Sequence, residues 1–136
     1  MAQILALIGT RRTKPSDVEG VVRFHLDEAH SAFWSNVRHD HYARGTRVAA
    51  KVAGAGVLAL TGQLDCLRPH PDPLEADGER WEWRYDVRWD PSPRRFVPVA
   101  ELGPPFSEPT RSTRRITWAD FVRAYRSLHG QEPPQQ

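Results

Sequence analysis

The stretch "RWEWRYDVRWD", residues 80–90, alternates without a break. Trp81, Trp83, Tyr85, Val87 and Trp89 fall on one side; Arg80, Glu82, Arg84, Asp86, Arg88 and Asp90 fall on the other. Successive side chains on a strand point to opposite faces, so the spacing predicts a strand with one aromatic face and one charged face. Two uses of the aromatic face are open. It can fill the inside of a small barrel, where inward positions must be occupied by side chains. Or it can be a surface on which a flat group stacks, as on sheets that bind RNA. The cations on the other face alternate with acids, which reads as a self-neutralised solvent face and not as a phosphate track.

Upstream, "TRVAAKV" (46–52) and "GVLALTGQLDCL" (56–67) read as two further strands, separated by the glycines of "AGAG" (53–56). "RPHPDPLEADGE" (68–79), rich in proline and acid, reads as a loop. Downstream, "FVPVAEL" (96–102) reads as a short strand, confined by Pro98 to an edge or a bulge. "GPPFSEPTRSTRR" (103–115) reads as a second long loop. Near the N-terminus "QILALIG" (3–9) reads as a buried strand, and Ser16 as the cap of a short helix through Val18, Val21 and Val22. "LDEAHSAFWSNV" (26–37) reads as a second helical or irregular segment that ends near Trp34.

In "ITWADFVRAYRSLHG" (116–130), Thr117 and Asp120 have the spacing of a capping box. Trp118, Phe121, Val122, Tyr125 and Leu128 recur at helical spacing, and Gly130 follows as a stop. The expected architecture is therefore α+β: a small mixed or antiparallel β-barrel with flanking helices and a C-terminal helix. Residues 1–130 form one domain and 131–136 a disordered tail. The order of elements does not suggest a doubly wound nucleotide fold, and no glycine-rich phosphate loop is present.

A length of 136 residues suits one domain able to bury a core without disulfides. The single cysteine, Cys66, cannot form an internal bridge, and no segment has the length of a membrane span. The apolar N-terminus lacks the basic start and cleavage site of an export signal, so a cytoplasmic location is expected. The formal net charge is +2, and Lys14 and Lys51 are the only lysines. Basic residues cluster in 11–14, 38–51 and 111–126, which points weakly to an anionic partner.

The segment "FWSNVRHDHYARG" (33–45) concentrates chemistry. Trp34 offers a flat face, Ser35 and Asn36 offer donors and acceptors, and Arg38 and Arg44 can hold phosphate. The same segment also reads as ordinary polar surface at the end of an element. His39, Asp40 and His41 could begin a metal site, but two imidazoles are too few ligands and no partner pair follows. Cys66 reads as a small buried hydrophobe.

The order "WSNVRHDHYARG … TRVAAKVAGAGVLALTGQLDCLRPHPD … RWEWRYDVRW … FVPVAEL" resembles the EVE domain, a member of the PUA-like superfamily that also holds the YTH and ASCH domains. Trp34, Val37 and Arg38 match its first element, Gly56 to Leu64 its glycine-flanked strand, and His70–Pro71–Asp72 the loop. Trp83 to Val87 match the next strand and Val97 to Leu102 the last segment. The likeness covers about 34–102, and His39 stands where that family has Asn.

The resemblance implies a PUA-like barrel with a pocket at one end. That pocket would hold a modified base, for example methylated or hydroxymethylated, flipped out of DNA or RNA. On this expectation Trp34, Ser35, Asn36, His39, Trp83 and Tyr85 form the base pocket. Arg11, Arg12, Arg38 and Arg44 hold the backbone. The chain would be non-catalytic and without cofactor or metal, with nucleic acid as its partner, no membrane partner, and a nuclease or helicase subunit as a further partner. The alternatives are a small metal-dependent nuclease or hydrolase using His39, Asp40 and His41, or a protein-interaction module.

Overall fold

The computed structural model of the protein describes residues 3–134. The aromatic strand is β6 (Glu79–Trp89), one of eight among the described residues. Before it come β1 (Gln3–Ile8), helix α1 (Val18–Leu26), β2 (Ala32–Ser35), β3 (Arg47–Val52), β4 (Val57–Leu64) and β5 (His70–Ala76). After it come the two-residue β7 (Val97–Pro98), the single-turn α2 (Val99–Leu102), β8 (Thr113–Ile116) and α3 (Trp118–His129). The main sheet runs β2-β6-β4-β3-β1-β8, with β5 added to β6 and β7 to β4. All these pairings are antiparallel except that of β1 with β3. The sheet curls into an open half-barrel until β2 lies beside β1 without joining it in the order of paired strands.

Alternation explains how one sheet supports two cores. Ile4, Ala6 and Ile8 of β1, with Val48, Ala50 and Val52 of β3, point into the curl. There they meet Phe33, Tyr85 and Val87, and α1 closes over them with Val18 and Val22. Leu5 and Ala49 point the other way, where α3 covers them with Phe121, Ala124 and Leu128. A strand covered on both faces reads as an unbroken apolar run, as "QILALI" does. Phe33 and Tyr85 stack inside the curl at 4.6 Å and an interplanar angle of 7°. Such a pair contributes about 0.5–1.5 kcal/mol beyond area burial.

The expected helix is α3. The Thr117 hydroxyl accepts from the Asp120 amide at 3.0 Å, the Asp120 carboxylate accepts from the Thr117 amide at 3.2 Å, and Gly130 ends the helix in the left-handed region. Gly54 is required by a close approach in the β3–β4 turn: at φ +79°, an added Cβ would lie 2.6–2.8 Å from the carbonyls of Arg11, Thr13 and Thr10.

Six local expectations are corrected. Residues 32–35 are strand and not helix: β2 is buried on both faces, so it shows no alternation. Most of the acidic 68–79 run is the strand β5; Pro71 and Pro73 are tolerated because β5 pairs only β6 and its register shifts between Pro71 and Leu74. Ser16 does not cap α1, which follows a 3-10 turn at Pro15–Asp17 and starts from Asp17. "FVPVAEL" holds only two strand residues, and the second long loop ends in β8. Residues 131–134 are not a loose tail. Pro133 is buried, Glu132 pairs with Arg126, and the Pro134 carbonyl accepts from the buried Arg47 Nη2 at 2.6 Å; Gln135 and Gln136 lie outside the described residues.

Candidate functional site

The seam between β1 and β2 opens into a cleft of about 460 Å³. The end of β1 supplies Leu7, Ile8 and Gly9, and the end of β2 supplies Trp34, Ser35, Asn36 and Val37. Lys51 and Gly54 come from β3 and its turn, and Thr110, Arg111 and Ser112 from the loop before β8. Trp81 and Leu74, paired across the β5–β6 ribbon, complete the wall. The pairing of β2 with β6 ends at Ser35 opposite Trp83. The ribbon therefore outruns the barrel, and the first aromatic of the stripe overhangs the cleft.

Trp34 is 8 % exposed, its indole N–H donates to the Asp72 carbonyl at 2.7 Å, and the Arg84 guanidinium lies 5.2 Å from its ring. It is a fixed wall. Trp81 is only partly buried and is the more accessible aromatic surface. Ser35 and Ser112 share a hydroxyl–hydroxyl hydrogen bond that joins β2 to the loop before β8, and Ser35 also accepts from the Val37 amide at 2.9 Å. Asn36 lines the cleft with its amide engaged: Nδ2 donates to the Arg80 carbonyl at 2.9 Å, and Oδ1 accepts from the Glu82 amide at 3.1 Å. It splices the end of β2 onto β6.

Lys51 Nζ donates to the carbonyls of Phe106 and Glu108, each at 3.0 Å. Two of its three donors thus anchor the loop that carries Thr110–Ser112. Burial, with Arg114 nearby, holds its pKa below the usual lysine value. Arg11 lines the cleft within 3.7 Å of Glu79. Arg111 is exposed and meets no acid among the described residues. The rim therefore carries three cations against the single acid Glu79.

His39, Trp83 and Tyr85 do not line this cleft. Tyr85 lies in the core because Phe33 stacks on it, and burial pushes its pKa up to about 12. Its hydroxyl accepts from the His39 amide at 2.7 Å and donates to the Val37 carbonyl, so it holds the turn that borders the cleft. Trp83 packs against the same core with Arg38 at 4.9 Å from its ring. His39 packs on Tyr42 and His41, and burial lowers its pKa.

Of the four arginines expected on phosphate, only Arg11 lines the cleft. Arg38 is held by Asp40 at 2.8 Å, Arg44 lies 3.8 Å from Asp65, and Arg12 is exposed elsewhere. Trp81, Lys51, Arg111, Ser112 and His25 were not singled out in the sequence. They come from four segments; Trp81 carried a signal as part of the alternating stripe, and Lys51 and Arg111 as members of the basic clusters. Among the described residues no three His, Cys, Asp or Glu side chains come together as a metal site, and no helix is long and apolar enough to cross a membrane.

A second cleft of about 510 Å³ shares Gly9, His25, Leu74 and Trp81 with the first. It runs between α1 and the β5–β6 ribbon. Its charges are mainly acidic, with Asp17, Glu19, Glu75 and Asp77 against Arg23.

No protein-family profile matches the chain, and no curated protein matches it. Among solved structures it is similar to the NMR structure of Rpa0253 from Rhodopseudomonas palustris, at 18% identity and a TM-score of 0.52. The match covers 89% of this chain and 88% of that one. At that identity the likeness shows the fold alone, a mixed α+β half-barrel.

Proposed function

We propose that the β1–β2 cleft receives a nucleobase turned out of its strand, and that the protein is a non-catalytic reader of a modified base in DNA or RNA. The observation that supports this is one cleft of about 460 Å³ flanked by Trp34 and Trp81, with the Ser35–Ser112 hydroxyls inside and Arg11, Lys51 and Arg111 around it. Pockets of roughly 300–1,000 Å³ suit small flat ligands. The aromatics stack, the hydroxyls and backbone groups meet a polar edge, and the cations accompany phosphate. The likeness of the 34–102 segment to the EVE domain supports the same reading.

The energetics set the conditions. Turning a base out costs a few kcal/mol, and stacking it on an aromatic face returns roughly 1–3 kcal/mol. The remainder must come from phosphate contacts, so binding weakens steeply with salt. The test is a tryptophan-fluorescence titration with short single- and double-stranded DNA and RNA. The oligonucleotides carry plain, methylated or hydroxymethylated bases, at two salt concentrations. Quenching selective for one modified base, and lost in Trp81→Ala, is the expected result. Binding without base preference, or unchanged binding by Trp81→Ala, would sink the proposal.

A further inference from the structure

The two clefts meet along one wall and carry opposite charge. On the first side Arg11, Lys51 and Arg111 stand against Glu79. On the second, between α1 and the β5–β6 ribbon, Asp17, Glu19, Glu75 and Asp77 stand against Arg23. A polyanion drawn to the first cleft is repelled by the second, so a nucleic-acid strand does not extend into it. The second cleft suits a cation.

Its carboxylates stand on two banks and are short of cations. Asp17 and Glu19 lie at the start of α1; Glu75 lies in β5 and Asp77 in the turn to β6. A helix start favours acids, but that does not account for the pair on the opposite bank. Asp17 accepts from the Lys14 amide at 3.0 Å and Asp77 from the Thr10 hydroxyl at 2.6 Å, both neutral donors. Among the described residues Asp17, Glu19 and Asp77 form no ion pair, while Glu75 meets Arg80 at 2.8 Å. Apolar surface lies between the banks: Val21 and Phe24 from α1, Leu74 and Trp81 from the ribbon.

Gly20 lines the same groove from α1. Glycine is the poorest helix former after proline. Here its backbone is not left-handed, and a Cβ added to it would meet nothing within 4 Å. Neither the backbone angle nor packing inside the chain calls for glycine at this position. What the missing side chain keeps clear is the groove.

We propose that this groove docks an extended, arginine-bearing segment of a partner protein. The methylene stem of an arginine lies on the apolar floor, as long cationic side chains do. Its planar guanidinium stacks on the tryptophan or phenylalanine ring and offers five N–H donors to carboxylates on either bank. The backbone of the segment passes α1 at Gly20, where no side chain obstructs it. This docking does not depend on base binding in the first cleft, and either can fail without the other.

The test is the fluorescence anisotropy of a dye-labelled pentapeptide, arginine at its second and fourth positions and glycine elsewhere, titrated with the full chain. A second peptide carries citrulline for arginine, which keeps the planar head and removes the charge. The arginine peptide should bind about tenfold or more tightly than the citrulline peptide, the size of one charge-assisted hydrogen bond. The double variant Glu19→Gln, Asp77→Asn removes one charge from each bank, and asparagine tolerates the φ of 52° at position 77. It should weaken the arginine peptide about tenfold. Asp65→Asn, at an exposed acid away from the groove, should change nothing. Gly20→Met fills the groove from a position with open space, so binding should be lost while the melting temperature holds or rises. No binding by the parent, equal binding of the citrulline peptide, or full binding by the double variant or by Gly20→Met overturns the inference. So does a loss in Asp65→Asn as large as that in the double variant, which would reduce the interaction to net charge.

Discussion

The phenol of Tyr85 donates to the carbonyl of Val37 at 2.5 Å. Tyr85 belongs to the core and Val37 to the border of the cleft, so this bond ties the shape of the site to the packing of the barrel. Tyr85→Phe keeps the stack on Phe33 and removes the bonds to both Val37 and His39. Leaving those two backbone groups without their partner should cost about 1–3 kcal/mol. Urea unfolding measures the loss as a lower midpoint at unchanged slope. A midpoint equal to that of the parent would show that water replaces the phenol.

The two tryptophans of the cleft should separate stability from binding. Trp34 is nearly sealed and bonded to Asp72, so Trp34→Ala should destabilise by about 3–5 kcal/mol. Trp81 is partly exposed on a ribbon beyond the barrel. Trp81→Ala should cost far less stability, while weakening ligand binding about tenfold or more through the lost stack. Unfolding midpoints and titrations on the same two preparations check both halves. Comparable losses of stability would mean that Trp81 is ordinary core.

His25 gives the protein an acid-side weakness. Its pKa is about 4 when folded and near its ordinary 6.5 when unfolded. Between those values the unfolded chain holds a proton that the folded chain does not. Stability is therefore flat above about pH 6.5 on this account, falls as pH drops towards 4, and levels off below. The full effect is roughly 3 kcal/mol. His39 and His129 are lowered as well, so the measurement is the difference between parent and His25→Gln melting temperatures across that range. A difference independent of pH would remove His25 from the explanation.

The cations divide by position. Arg111→Ala should weaken nucleic-acid binding about equally for all sequences and lower the salt slope by about one. Arg44, next to Asp65 and away from the cleft, should change neither when replaced by alanine. Titrations of both variants over a range of salt concentrations distinguish the two. An Arg44→Ala effect as large as that of Arg111→Ala would move the backbone path off the cleft.

Contiguous chemistry was legible in the sequence, and chemistry assembled by register was not. The alternation of 80–90 yields β6, and Thr117, Asp120 and Gly130 bracket α3. Trp34, Ser35 and Asn36 are neighbours in the chain and reach the cleft together. Which aromatic of β6 joins them depends on where β2 stops pairing, at Ser35 opposite Trp83. No property of Trp81, Trp83 or Tyr85 taken alone announces that. Lys51 and Ser112 face the same opening because β1 runs parallel to β3 and antiparallel to β8, pairings between segments far apart in sequence. His25 looked like one of several scattered histidines until α1 closed over the seam. The prolines of β5 hid a strand, since an edge strand with a shifted register does not need their missing donors.

The placement of β1 also dictates an order of events at synthesis. Gln3 pairs with Arg47 on one side and with Ile116 on the other. Of the strands described, β1 is made before all the others, and it waits for β8 before its second edge is filled. The loop that brings Ser112 to Ser35 arrives in the same last step. Long-range closure of this kind is slow relative to local hairpins such as β5–β6. The half-barrel with its ribbon can assemble while translation continues, but the cleft comes into being only once the loop that carries Thr110–Ser112 and β8 has been added.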